Sequence, residues 1–214
     1  MTRPHDHEFS DIINWVVQAL FYGEEQGIGN DQSLCQDYPT SSKQLEARDL
    51  NYMNAVYCVE NYGEIKNNQI DINMINNGTG MITAIPFGEL GFPGMMSSSI
   101  NNETCLCDMR LNGVLKCGVI VPNGFIGNVT DSRDLVGINV DYCYTLAAAL
   151  FNGKWEAAQL FVFSEEEDSY AALANGTIDV IAGVRAHKKY DFASESLPGF
   201  HFSIPYFYGN ETAR

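Results

Sequence analysis

The residues of this chain that best suit binding chemistry lie in one short basic segment, Ala182-Gly-Val-Arg-Ala-His-Lys-Lys-Tyr190. The guanidinium of Arg185 can hold a carboxylate through two parallel hydrogen bonds, whereas Lys188 and Lys189 offer only point charges. A basic surface loop that binds no ligand is the alternative.

Residue combinations for catalysis or metal binding are weak in this sequence. Neither His187 nor His201 has an evident nucleophile, and no Ser-His-Asp or Cys-His arrangement is readable. The acidic run Glu165–Asp168 suits the first turn of a helix, where the dipole favours negative charge, better than acid–base catalysis or Ca²⁺ binding. The His5-Asp6-His7 triplet suits a helix cap, because adjacent helical residues do not face one another. We therefore predict that the protein is not an enzyme and carries no cofactor or metal.

Cysteines and glycosylation sequons indicate an extracellular location. The chain has six cysteines and no Cys-x-x-Cys pair, which is typical of proteins from oxidising compartments. Asn-x-Ser/Thr sequons, the acceptors of N-linked glycans, lie at Asn77, Asn102, Asn128, Asn175 and Asn210. Chance is the alternative explanation for the sequons. Their number in so short a chain favours a secreted or cell-surface glycoprotein of a eukaryote.

Composition excludes two kinds of partner. The net charge is -15 and the pI about 4.4, which argues against nucleic acid as a partner because phosphate binding needs an excess of clustered Lys and Arg. The first residues lack the basic and apolar regions of a signal peptide, and no apolar run is long enough to span a membrane. A length of 214 residues is sufficient to bury a proper core.

The elements that must position the basic segment follow from hydrophobic periodicity. Strand-length apolar runs at 115–121, 159–163 and 178–182 alternate with helix-length segments. This alternation predicts a βαβαβ order and an α/β fold with a parallel sheet. Upstream, helices are predicted over residues 5–28, 41–48 and 50–67.

Segments in the second half of the chain resemble a known family. They are Lys116-Cys-Gly-Val119, Gly137-Ile-Asn-Val-Asp-Tyr-Cys143, Asn175-Gly-Thr-Ile-Asp-Val180 and Ser203-Ile-Pro-Tyr-Phe-Tyr208. They resemble the first half of bacterial extracellular solute-binding protein family 3, the polar and general amino-acid-binding proteins of ABC transporters. In the family, the last of these segments leads to the hinge.

The first half of the chain resembles the other end of the same family. The matching segments are Asp6–Leu20, Glu24–Ile28, Val59–Ile65 and Met81–Pro86. The order is therefore reversed, with the family's C-terminal half at residues 1–87 and its N-terminal half at 113–208. Residues 88–112, rich in Gly, Ser and Asn, match a linker.

The resemblance implies a particular fold. Proteins of this family have two α/β lobes that face a ligand cleft, and the first lobe is made from both ends of the chain. Residues 1–214 are thus expected to form a single first lobe of the type II periplasmic-binding-protein class. Such a lobe is a mostly parallel sheet flanked by helices, here in circularly permuted order. Either the natural protein is a tandem array, with the missing second lobe or neighbouring repeats as partners, or the lobe was permuted deliberately.

The resemblance also implies a disulfide. The general amino-acid-binding subgroup has cysteines at the positions of Cys117 and Cys143, so these two are expected to pair. The other four cysteines leave three pairings open, with a zinc site of four thiolates as an alternative. They are Cys35, Cys58, Cys105 and Cys107.

The ligand-site residues come from the resemblance as well. The family's third strand ends in a small-Gly-x-Thr-x-Thr-x-x-Arg pattern, whose Arg binds the α-carboxylate of an amino acid. Gly183 matches, but Arg185 and His187 occupy the Thr positions, and Tyr190 occupies the Arg position. Phe125 matches an aromatic residue that often lines the cleft, with a place in the core as the alternative. These departures indicate a solute-binding-like module whose site for an amino-acid-like ligand is altered or lost. A structural or adhesive repeat of an extracellular assembly is the alternative.

Overall fold

The computed structural model describes the chain in seven stretches. They comprise residues 1–3, 6–35, 52–69, 105–120, 128–129, 135–184 and 200–203. Several predicted features lie outside them, namely Phe125, Arg185, His187, Tyr190, the sequon asparagines Asn77, Asn102 and Asn210, and the helix predicted over 41–48.

Helices and strands alternate along the second half of the chain. The helices are α1 (His7–Gln26), α2 (Asn54–Cys58), α3 (Tyr62–Gln69), α4 (Cys105–Asn112), α5 (Ile138–Leu150) and α6 (Glu166–Ala174). The strands are β1 (Leu115–Ile120), β2 (Asn128–Val129), β3 (Leu135–Val136), β4 (Ala158–Phe163) and β5 (Val180–Ala182). The three strands predicted from apolar runs are thus present as β1, β4 and β5. The fold is α/β.

The main sheet is parallel and has β1 at its centre. The strand order is β4-β1-β5, and Cys117 of β1 lies opposite Leu160 on one side and Val180 on the other. Strands β2 and β3 form a separate antiparallel pair. All but one residue of β1 are buried, which explains why its sequence is a continuous apolar run rather than an alternating one.

The sheet is covered by apolar clusters on both faces. Because successive side chains of a strand point to opposite faces, neighbouring residues belong to different clusters. Cys117 and Val119 belong to a cluster that also contains residues of α1, α2, α3, α4 and α5, whereas Ile120 belongs to a second cluster with Tyr170 and Leu173 of α6. Helices from both halves of the chain therefore share one core with the sheet.

Helix α1 follows its apolar periodicity closely. Ile12, Val16 and Leu20 are buried along one stripe, and Gly27 ends the helix with a left-handed φ of 65°, which glycine adopts without strain. Asp6 stands at the cap position, but its side chain makes no capping hydrogen bond, so that part of the prediction is wrong. Among the helices that the structure describes, none has the length and apolarity needed to cross a membrane.

The helix predicted over 50–67 is wrong in extent, because the structure divides it into α2 and α3. Val59 leaves the helical region with φ -119° and ψ -93°, and Asn61 begins the next helix. The Asn61 side chain accepts a hydrogen bond from the Glu64 amide at 2.9 Å, and Glu64 accepts one from the Asn61 amide at 2.9 Å. This reciprocal capping box starts a new helix in the middle of an apolar pattern that looks continuous.

The end of the expected linker is helical. Helix α4 occupies residues 105–112, and its Leu106 and Met109 are buried in the core shared with α1 and α5. Burial of these two apolar side chains holds the segment against the domain, so this part is not an extended connection.

Helix α5 is the central element of the helical layer. Most of its residues are buried, and it contacts α1, α2 and α3 as well as all three strands of the main sheet. A helix that is apolar on nearly all sides is expected to be enclosed in this way. Its N-terminus follows Gly137 and begins close to the carboxyl end of the sheet.

The first residues of the chain extend the sheet beyond β5. Met1 and Ile181 exchange main-chain hydrogen bonds of 2.9 and 3.0 Å, and Thr2 forms an antiparallel bridge with His201. Arg3 then pairs with Asp179 at 3.2 Å. The segment at residues 1–3 therefore lies between β5 and the segment at 200–203, antiparallel to both.

Candidate functional site

The carboxyl edge of the parallel sheet is the candidate site. In α/β sheets, ligands bind outside the carboxyl ends of the strands. Strand β5 ends here and continues into Gly183, and α5 starts here after Gly137. Gly183 is the one ligand-site residue implied by the resemblance that the structure describes.

Gly183 and Asn139 are in close contact at this edge. Gly183 has a positive φ of 86°, and a Cβ built on it would overlap the side-chain amide of Asn139. Asn139 is completely buried at the start of α5. Its side chain therefore occupies the space beside Gly183, and only glycine fits there.

The start of α5 carries electrostatic features of opposite sign. The amides of Val140 and Asp141 bond back to the Gly137 carbonyl at 2.8 and 3.0 Å, and the helix dipole makes this end attractive to anions. Asp141 places a carboxylate in the same first turn. That carboxylate uses the favourable field itself and repels a second carboxylate brought by a ligand.

A small cavity lies next to this edge, but its volume is only about 40 Å³. Its walls include Met1, Val16, Tyr142, Ile181 and Ser203. Ligand pockets for drug-sized molecules are roughly ten times larger, so this cavity can hold a water molecule and not an amino acid.

Two disulfides cross-link the described residues. Cys117 of β1 is bonded to Cys143 of α5, as the resemblance implies, with their Cα atoms 6.0 Å apart. Cys35 is bonded to Cys58, with Cα atoms 4.8 Å apart, which resolves one of the pairings that the sequence left open. The first bond ties α5 to the central strand, and the second ties the segment after α1 to α2.

Metal binding finds no support in the part of the chain that the structure describes. No group of three or more His, Cys, Asp or Glu side chains there could hold a metal ion. Since Cys35 and Cys58 are joined to each other, they cannot serve as thiolate ligands in the alternative zinc site.

Two buried groups have strongly shifted pKa values. Burial lowers the pKa of the Met1 amino group from 8.0 to about 5. Burial, with the nearby negative charge of Glu24, raises the pKa of Tyr62 to about 12. Tyr62 belongs to the helical core, and Met1 lines the small cavity.

Of the sequons, those at Asn128 and Asn175 fall on described residues. Asn128 is the first residue of β2, where it pairs with Val136. Asn175 is exposed in the turn between α6 and β5. The acidic run lies at the N-terminus of a helix as predicted, with Glu166, Glu167 and Asp168 in the first turn of α6, but Glu165 at the cap position makes no side-chain capping hydrogen bond.

Asn139 is the residue at this edge that sequence reasoning missed. Asparagine is a poor helix former and is usually exposed. An asparagine within the apolar start of α5 was therefore the available signal, but only the tertiary structure shows what it touches.

Comparison of the chain with protein-family models, with curated proteins and with solved structures found no significant match.

Proposed function

We propose that the chain is a non-enzymatic extracellular solute-binding-like module with an altered or lost ligand site. In this proposal it is one lobe of the type II periplasmic-binding-protein class, in permuted order. The observation that carries the proposal is the insertion of residues 1–3 between β5 and residues 200–203.

The direction of these segments supports a lobe that is connected to a second lobe. Met1 pairs with Ile181 near the carboxyl end of β5, and Arg3 reaches Asp179 nearer its amino end. Residues 200–203 run antiparallel to residues 1–3. Met1 and Ser203 therefore both lie toward the carboxyl edge, the side on which a second lobe would face this one across a cleft.

The extracellular part of the proposal is supported by the two disulfides. Disulfides persist in oxidising environments and are rare in reducing ones. The bonded pairs Cys35–Cys58 and Cys117–Cys143 account for four of the six cysteines.

An altered or lost site is supported by the packing beside Gly183 at the carboxyl edge. The amide of Asn139 occupies the space beside Gly183, and Asp141 adds a negative charge to the first turn of α5. Both features oppose binding of an amino-acid carboxylate at this position. The same observation favours the second candidate function, a structural or adhesive repeat of an extracellular assembly.

Calorimetric titration of the purified chain with glutamate, glutamine and arginine tests the proposal. We expect affinity no better than millimolar, because the second lobe is missing and Tyr190 replaces the family's carboxylate-binding Arg. Loss of a charge-assisted pair alone costs about 2–5 kcal/mol. The matched variants are Arg185→Ala and Lys154→Ala, since Lys154 is an exposed cation after the carboxyl end of α5.

The outcomes separate the candidate functions. Micromolar binding that Arg185→Ala abolishes and Lys154→Ala preserves would overturn the altered site and restore an intact ligand module. Absence of binding together with concentration-dependent self-association in light scattering would favour the structural repeat. Turnover of any of these compounds would contradict both.

A further inference from the structure

Asn175 lies in a hydrogen-bonded, exposed turn. Asn175 and Thr177 are both exposed, on either side of Gly176, which has a φ of 78°. The Asn175 amide bonds to the Ala171 carbonyl at 3.1 Å, and the Thr177 amide bonds to the Ala172 carbonyl at 2.9 Å. These main-chain bonds hold the turn. Because Asn175 is exposed, a large group on its side chain would not have to displace packed atoms.

The Asn175 side chain makes its hydrogen bonds through oxygen. Its Oδ1 accepts from the Thr177 amide at 2.9 Å and from the Thr177 hydroxyl at 2.6 Å. The amide nitrogen Nδ2, which is the atom that carries the sugar in an N-linked glycan, takes no part in either bond. Both polar residues of the sequon are thus at the surface in one turn.

We propose that Asn175 carries an N-linked glycan. In the transfer, Nδ2 forms a bond to the anomeric carbon of a lipid-linked glycosyl diphosphate, the bond from that carbon to the diphosphate oxygen breaks, and Nδ2 loses a proton. The inference rests on the extracellular location in the proposed function. It does not depend on whether the module binds a ligand.

The position of Asn175 also determines which end of the sheet carries the glycan. Asn175 precedes β5 and Gly183 follows it, so the two residues lie at opposite ends of that strand. Arg3 approaches the turn, since a Cβ on Gly176 would lie 3.3 Å from its guanidinium. The glycan therefore projects from the amino end of the sheet and leaves the carboxyl edge clear for a second lobe or a neighbouring repeat.

Site mapping of the secreted chain tests this assignment. The 214-residue chain would be expressed with a cleavable signal peptide in a eukaryotic secretory host. Treatment with peptide N-glycosidase in heavy-oxygen water then marks each formerly glycosylated asparagine as labelled aspartate. We expect label at Asn175 in most molecules, with Thr177→Ser retaining it and Thr177→Ala abolishing it. Asn112, an exposed asparagine that also precedes a glycine but lies outside any sequon, measures the label that arises from spontaneous deamidation.

An unlabelled Asn175 overturns the proposal, whether other sequons are labelled or none is. If a variant is retained in the cell, the same mapping on the membrane fraction gives its occupancy. Secretion of an unlabelled chain with both disulfides intact would leave the extracellular module standing and remove only the glycan. A chain whose cysteines are all free would instead count against the extracellular location.

Discussion

Met1 and Ile181 form a reciprocal main-chain pair across almost the whole length of the chain. The nitrogen of each donates to the carbonyl oxygen of the other, at 2.9 and 3.0 Å. The pair joins residues 1–3 to the edge of a sheet whose other strands all come from the second half of the sequence. It is the contact that makes one sheet from two distant segments.

The first prediction concerns pH and the Met1 amino group of the 214-residue chain. Burial lowers its folded-state pKa from 8.0 to about 5, so between pH 5 and 8 the unfolded state binds more protons than the folded state. The free energy of unfolding should therefore rise with pH across this window, by up to about 4 kcal/mol. Urea unfolding at several pH values measures it.

N-terminal acetylation is the matched control for this titration. An acetylated Met1 keeps one N–H for the bond to Ile181 but has no titrating group. The contribution of Met1 to the pH dependence should disappear, while that of other groups remains. Equal slopes for the free and acetylated chains would show that the amino group does not titrate as its burial requires.

The second prediction concerns the contact between Gly183 and Asn139. Gly183→Ala should lower the free energy of unfolding by about 1–3 kcal/mol more than Gly113→Ala, because only the first adds atomic overlap. Gly113 has a positive φ of 65° but open space where a Cβ would lie. Urea unfolding compares the two variants. An equal loss of unfolding free energy would mean that backbone strain alone, and not overlap with Asn139, causes the destabilisation.

A double-mutant cycle isolates the pair. Asn139→Ala removes the amide that a Cβ on Gly183 would strike, so Gly183→Ala should cost less in that background. The double variant should therefore lose less stability than the sum of the two single losses. Additive losses would indicate that the two side chains do not compete for one space.

The third prediction concerns the capping box of α3. Glu64→Ala should lower the free energy of unfolding by about 0.5–2 kcal/mol, because Glu64 accepts the Asn61 amide at 2.9 Å and the Asn30 amide at 3.2 Å. Glu25→Ala removes an equal charge from an exposed position on α1 and should change stability little. Equal losses for both would point to net charge rather than to capping.

The fourth prediction concerns the disulfide between Cys117 and Cys143. Replacing both cysteines by alanine should lower the free energy of unfolding by about 2–4 kcal/mol, since the bond closes a loop of 26 residues in the unfolded chain. Unfolding of the variant is compared with that of the parent, and non-reducing peptide mapping establishes the bond in the parent. Free thiol at either position in the parent would contradict the pairing.

Sequence periodicity located the elements because the signal for each is local. The runs that form β1, β4 and β5 are apolar over strand length, and α1 repeats its buried residues at helical spacing before Gly27. These patterns arise from contacts each segment must make with whatever covers it, so they can be read without knowing the partner. The break at Asn61 was missed because a capping box there outweighs an apolar pattern that continues through it.

Pairings across long sequence separations were decided by the tertiary structure. Nothing local distinguishes Cys58 from Cys107 as the partner of Cys35, and the strand role of Met1 requires Ile181, which lies 180 residues away. The sequence shows which residue types can bind a ligand, form a disulfide or cap a helix, but it does not show which partner each of them has. Whether Asn139 fills the space beside Gly183 depends on how α5 packs against the sheet, and only the packed core fixes that distance.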